Sequence, residues 1–291
     1  MTAIPEPAAR AARRGAAGRQ SYGGRFTSAV LVLFTAGSLF PLVWTAVAAS
    51  QSNSRLARTP PPFWFGGNLL RNLEIAWTEA NLGTALLNTT VVAGAVTAGT
   101  VLFSTLAGFA FAKLRFRFRN PLLLLVIGTM MVPPQLSVVP LYMMIAELSW
   151  TDRLQSVVLP TLVSAFGVFF MRQYLAQALP TELIEAARVD GANSWRVMWH
   201  VVLPAARPAM AVLGMLTFVM AWNDFFWPII ALTQSGNPTV QVALTGLGRG
   251  YVPDQSVIMA GALLGTLPLL LAFVVFGRQI VGGIMQGAVK G

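Results

Sequence analysis

The sequence holds no cysteine and one histidine, His200, in 291 residues. Disulfides and thiol nucleophiles are excluded, and Cys/His metal sites or a Ser-His-Asp relay have almost nothing to work with. Lysine is nearly absent as well: Lys113 and Lys290 are the only two, and neither follows the glycine-rich spacing of a phosphate-cradling loop. Charged residues make up 10% of the chain, against about 25% in an ordinary soluble domain. Hydrophobic residues take their place at 55%, so several long apolar runs belong in lipid. The net charge of +10 lacks the basic stripes interleaved with stacking aromatics that nucleic acid would require. The basic residues lie between apolar runs instead, where lipid head groups would be.

Residues 1–24 are rich in Ala, Arg, Gly and Pro without apolar periodicity, which reads as a disordered basic arm. Residues 25–291 read as an all-α membrane domain. A bilayer core needs about 20 apolar residues at 1.5 Å rise each. Six stretches meet or approach that length: 26–50, 83–113, 121–146, 154–175, 204–233 and 256–277. The first also resembles a secretory signal ending at Ala46-Val47-Ala48, but its apolar run exceeds the roughly 7–15 residues of a signal core, so it is read as a retained helix. Fifteen of the twenty Lys and Arg fall on one side of this arrangement and five on the other. The positive-inside rule then expects both termini in the cytoplasm, in agreement with an even number of spans.

Within these stretches Pro41, Pro133, Pro134, Pro160, Pro228 and Pro268 interrupt backbone bonding. Gly94 with Ala98, and Ser104 with Gly108, place small residues four apart, a spacing that permits close helix approach. Glycine and proline are also simply commoner in membrane helices. Asp224, beside Asn223, is the one acid well inside an apolar run. It either faces protein or a watery cavity, as a gate or cavity residue, or sits near the outer interface.

The connection over about 176–203 is more than a linker. Thr181 is expected to cap a helix with Glu182 and Glu185 in its first turn and Leu183, Ile184, Ala187 and Val189 on its apolar side. Gly191 is a plausible stop, and Ser194 is expected to cap a second short helix ahead of Leu203-Pro204. An interfacial anchor with Trp195 and Trp199 at head-group level is the plainer reading. The spacing of Glu185-Ala186-Ala187, Asp190-Gly191-Ala192 and Leu203-Pro204, however, resembles the EAA loop of ABC importer permeases. Asn88-Thr89, Trp222-Asn223-Asp224-Phe225 and the closing Gly287-Ala288-Val289-Lys290-Gly291 are similar to the smaller permease subunit of maltose-type sugar importers, where Glu often stands in place of Asp224.

That resemblance implies a non-catalytic subunit with no cofactor or metal of its own. It implies a second related permease, two ATPase subunits and an extracytoplasmic sugar-binding protein as partners, and alternating access as the mechanism. It further implies that the EAA loop seats in a socket on the ATPase and that residues 285–291 of the tail, 279–291, dock between the ATPase subunits. Gly282, Gly283 and Gly287 make that tail a poor continuation of a helix. Part of the loop 234–255, around Gly236-Asn237-Pro238, would touch the binding protein. A permease for another solute such as glycerol phosphate shares this architecture. A secondary transporter would show similar halves and more midplane ionisable groups, and an enzyme would show paired carboxylates or a His cluster.

Overall fold

The computed structural model describes the backbone of residues 24–233, 236–249 and 251–288. Every regular element among them is helical. The basic arm 1–23, and with it Gln234, Ser235, Gly250, Val289, Lys290 and Gly291, lies outside the described residues.

Two compact units divide at Trp44/Thr45. The first contains most of α1 (Arg25–Ala49), an apolar helix whose side chains from Val30 to Phe40 are exposed, as a lipid-facing surface would be. Phe40 and Trp44 stack along it with ring centroids 6.4 Å apart.

The second unit holds the remaining helices. α2 (Asn53–Leu56) and α3 (Leu69–Glu79) precede the 32-residue α4 (Leu82–Lys113). α5 (Arg119–Thr129) and α6 (Val138–Glu147) are separated by a 91° bend across Pro133 and a 3-10 turn, Pro134–Ser137. α7 (Gln155–Thr161) and α8 (Ala165–Ala178) meet at a 41° bend, where the Ser164 hydroxyl accepts the Gly167 N–H at 3.2 Å. α9 (Thr181–Val189) leads to α10 (Ser194–Val197), a wide π turn, Met198–Val202, and α11 (Leu203–Trp222). The chain closes with α12 (Phe226–Ala231), α13 (Val240–Gly246) and α14 (Gln255–Ala288).

By length and composition four helical stretches suffice to cross a bilayer: Phe26–Ala49, Leu82–Lys113, Ser194–Trp222 and Gln255–Val275. The α5/α6 and α7/α8 pairs qualify only as bent units. Four of the six expected stretches thus contain a helix long enough to cross alone, while 121–146 breaks at Pro133-Pro134 and 154–175 breaks over 162–164, just after Pro160. The stretch expected over 204–233 starts earlier and stops sooner, because α10, the π turn and α11 run on without a gap to Trp222. The wide turn lies directly ahead of Pro204, which has no N–H for the His200 carbonyl.

α4 is the central post. Gly108 lies so close to α8 that a Cβ there would stand 2.7 Å from Met171 Cβ and 2.8 Å from the Arg172 nitrogen. Gly167 on α8 is equally close to Ser104, so the small residues of α4 and α8 set their spacing. Gly94 and Ala98 are exposed, and among the described residues nothing lies within 4 Å of where a Cβ on Gly94 would stand. A second apolar cluster joins α3, α4, α13 and α14 through Ala76, Leu82, Ala85, Val240 and Ala260. The segment expected as a linking loop, 234–255, therefore contains a helix with one buried side. The tail also departs from expectation, since α14 continues through Gly282, Gly283 and Gly287 to Ala288. Glycine disfavours a helix by about 1 kcal/mol against alanine but keeps its N–H, and no proline follows Pro268.

Candidate functional site: a helical hairpin rooted in the membrane helices

Pro180, extended at φ −60° and ψ 140°, is the residue before α9, so Thr181 is the first helical residue rather than the cap. α9 ends in a tight turn. The Asp190 N–H reaches the Ala186 carbonyl at 3.0 Å, the Gly191 N–H reaches Arg188 at 3.0 Å, and the Ala192 N–H reaches Ala187 at 2.9 Å. Gly191 has φ +81°, a left-handed conformation that only glycine adopts without strain. The second helix is capped by Asn193, one residue before the expected Ser194, through its side-chain oxygen and the Arg196 N–H at 2.9 Å.

Two faces result. Ile184, Val197, Met198 and Val202 are buried with Phe109 of α4, Met171 and Leu175 of α8, and Ala206 and Leu213 of α11. The opposite face presents Glu185, Ala186, Val189, Asp190, Gly191 and Trp195 to the exterior, with Val189 88% and Trp195 67% exposed. Ala187 and Ala192 are half-buried at the seam, Leu203 is half-buried and Pro204 is exposed. Six of the eight motif residues, Glu185, Ala186, Ala187, Asp190, Gly191 and Ala192, accordingly fall in one hairpin, while Leu203 and Pro204 open α11. The root of the hairpin is continuous with the core of α4, α8 and α11.

Asn223 and Asp224 lie at the break between α11 and α12. The tryptophans on either side hold that break: Trp222 Nε1 donates to the Gly265 carbonyl of α14 at 3.1 Å, and Trp227 Nε1 to the Ser156 carbonyl of α7 at 2.9 Å. Asp224 accepts the Phe226 N–H at 3.2 Å and lines a cleft of about 620 Å³ between α4, α7, α8 and α11. Thr100, Thr161, Ser164 and Thr217 supply its other polar groups, and no basic side chain lines it. Asn223 is exposed and bonds back to Val219, outside the cleft lining. The four hydroxyl residues carried no distinguishing signal in the sequence, because a Thr in an apolar helix bonds its own preceding turn, as Thr161 does to Val157 at 2.9 Å.

A second cleft of about 640 Å³, almost wholly apolar, runs between α4 and α11 past Gly94, Ala98, Gly214 and Phe218. Of the three loop residues, Gly236 and Asn237 are exposed and Pro238 is buried. Asn237 donates to the Asp152 carbonyl at 3.1 Å, and Asn88 on α4 donates to the Pro238 carbonyl at 3.1 Å. Gly287 and Ala288 end α14. No group of three His, Cys, Asp or Glu placed to hold a metal occurs among the described residues.

A bundle with four to six candidate spans, carrying a half-buried helical hairpin, defines a multi-pass membrane protein. Residues 100–284 match the family described as binding-protein-dependent transport system inner membrane component, and the chain belongs to that family. It is 32% identical to a lactose transport system permease protein, LacG, of Rhizobium radiobacter, over 90% of this chain and 94% of that one. It is 30% identical to the arabinooligosaccharides permease protein AraQ of Halalkalibacterium halodurans, over 87% and 92%. An sn-glycerol-3-phosphate permease protein, UgpE, of Yersinia enterocolitica is 30% identical over 90% and 95%. A crystal structure of a bacterial ABC transporter involved in import of the acidic polysaccharide alginate shares the fold, with TM-score 0.75, 20% identity and 95% and 99% coverage. These relatives are transport components rather than catalysts.

Proposed function

We propose that the chain is one of two permease subunits of an ATP-driven importer for a neutral di- or oligosaccharide, with six spans and both termini in the cytoplasm. The observation that carries this reading is the hairpin of α9 and α10, whose buried root belongs to the core of three membrane helices and whose tip is exposed. Each bent pair then counts as one span. Separate ATPase subunits grip the tip at Val189, Trp195 and the Glu185 carboxylate, and their closure rocks α4, α8 and α11 between inward and outward arrangements.

The second permease packs on the apolar cleft at Gly94 and Ala98, where the outward face of α4 is bare. Gly236 and Asn237 offer the exposed part of the loop to a sugar-loaded binding protein on the outer side.

The cleft chemistry favours sugar over glycerol phosphate. Hydroxyls of Thr100, Thr161, Ser164 and Thr217 suit a polyhydroxyl solute, whereas a phosphate would meet the Asp224 carboxylate with no Arg or Lys in the lining. Reconstituting the chain with its co-expressed partners and measuring ATP-dependent uptake of labelled lactose, an arabinooligosaccharide and glycerol phosphate tests both parts. Uptake of a sugar alone supports the reading, uptake of glycerol phosphate alone overturns the substrate class, and uptake without ATP overturns the importer.

A further inference from the structure

The short connection between α4 and α5, Leu114 to Phe118, together with the first residue of α5 carries three arginines alternating with two phenylalanines: Arg115, Phe116, Arg117, Phe118 and Arg119. Basic loops are expected on the cytoplasmic side, but this one is shaped. Arg115, Phe116, Phe118 and Arg119 line an open surface depression of about 470 Å³ with Asn120 and Pro121. The exposed Arg117 guanidinium lies over the Phe118 ring, 4.8 Å from its centroid, which restrains it next to a residue of the depression. Arg119 donates through one terminal nitrogen to the Leu114 carbonyl at 3.3 Å, while its Nε is buried without a hydrogen-bond partner among the described residues. None of the three arginines has a carboxylate partner among those residues. Lys113 is engaged elsewhere, donating to Ala176 at 3.2 Å.

A buried guanidinium N–H left unpaired is costly, and charge repulsion among three arginines adds to it. An anion in the depression removes both penalties. Immediately beyond it, α5 turns Leu124 and Leu125 outward, 71% and 64% exposed. Phosphate chemistry at the mouth and a bare apolar strip leading away from it match one molecule, a phospholipid with an anionic head group.

We infer that Arg115, Arg117 and Arg119 bind the phosphodiester of an acidic phospholipid, with its acyl chains along Leu124 and Leu125. The site requires only that the chain sits in a bilayer, so it stands or falls separately from the choice of solute. Lipid bound there would fix α5, and through it the bent pair of α5 and α6, to the bilayer surface.

The test uses the full chain purified in mild detergent with whatever subunits accompany it, titrated with phosphatidylglycerol or phosphatidylcholine and read by native mass spectrometry. Wild type should retain phosphatidylglycerol in preference. Arg115→Gln and Arg119→Gln should each weaken retention about fivefold, the equivalent of ~1 kcal/mol per basic residue near a membrane surface. Arg115→Lys and Arg119→Lys should keep most of it, which separates loss of charge from misfolding. Equal retention of the two lipids, or unchanged phosphatidylglycerol retention in both Gln variants, overturns the assignment. Displacement by millimolar inorganic phosphate would make this a free-anion site instead. Loss of an accompanying subunit with lipid retention intact would make it a protein-docking face.

Discussion

The Thr89 hydroxyl, buried in α4, accepts the backbone N–H of Val240 at 2.8 Å, tying the first residue of α13 to a helix 151 positions earlier in the chain. One helical turn of contact is completed by Asn88 Nδ2 on the Pro238 carbonyl. Asn88 and Thr89, inside the N-terminal part of α4, therefore hold the segment that leads from Pro238 into α13.

Replacing Thr89 with Val keeps shape but leaves the buried Val240 N–H unpaired, at about 1–3 kcal/mol. Limited proteolysis should then cut the 236–249 segment faster, and the purified chain should melt at lower temperature. Thr89→Ser should behave as wild type. Identical cleavage of Thr89→Val and wild type would show that the loop is held by other contacts.

The α4/α8 interface predicts an asymmetry between two glycines. A Cβ at Gly108 meets Met171 Cβ at 2.7 Å and backbone at 2.8 Å, so Gly108→Ala must push two helices apart, at about 1–3 kcal/mol. Gly94→Ala has open space and gains alanine's helix preference of about 1 kcal/mol, so it should not lower the melting temperature of the isolated chain. Bulkier Gly94→Leu should instead lower recovery of the second permease in co-purification. Equal melting of Gly108→Ala and wild type contradicts the close approach.

At the hairpin, Gly191→Ala forces a side chain into φ +81°, at roughly 1–2 kcal/mol, and Gly191→Asp adds charge at the tip. Glu185→Ala removes an exposed carboxylate. Membrane insertion should be normal in all three, judged by fractionation, while transport falls steeply in Glu185→Ala and Gly191→Asp. Full uptake by both would reduce the hairpin to an interfacial anchor.

Orientation follows from charge. A reporter active only in the cytoplasm should work when fused after Arg119 or Arg196 and fail when fused near Gly66. The reverse pattern would invert the protein, moving the hairpin to the outer face, where no ATPase reaches it.

Much of this architecture was legible in the residues. Runs of about 20 apolar positions have one stable solution in lipid, a helix with its backbone bonds closed internally, so helicity and the approximate spans needed no tertiary information. The hairpin was legible as well, because Gly191 stands where a helix must reverse, and only the caps moved by one residue. The bends were less so: Pro133, Pro134 and Pro160 mark interruptions, but whether a span tilts or turns through 91° depends on what packs beside it. The helix α13 was missed because Val240, Val242 and Leu244 sit among glycines and polar residues, and burial against α3 and α14 stabilises what so short a segment does not hold alone.

The sequence by itself determined that this is an all-helical membrane protein, which segments are apolar enough to cross a bilayer, and where the reversal at Gly191 must fall, since composition, hydropathy and backbone sterics are local. Tertiary structure alone decided that Gly108 and Gly167 are contact points while Gly94 is bare, that Trp222 and Trp227 pin the break at Asp224 to opposite neighbours, and that Thr100 and Thr217 share a cleft. In lipid one apolar helix face is chemically much like another. Which face meets a helix, a cavity or the bilayer is therefore set by shape complementarity between segments distant in the chain, and that is not written in any one of them.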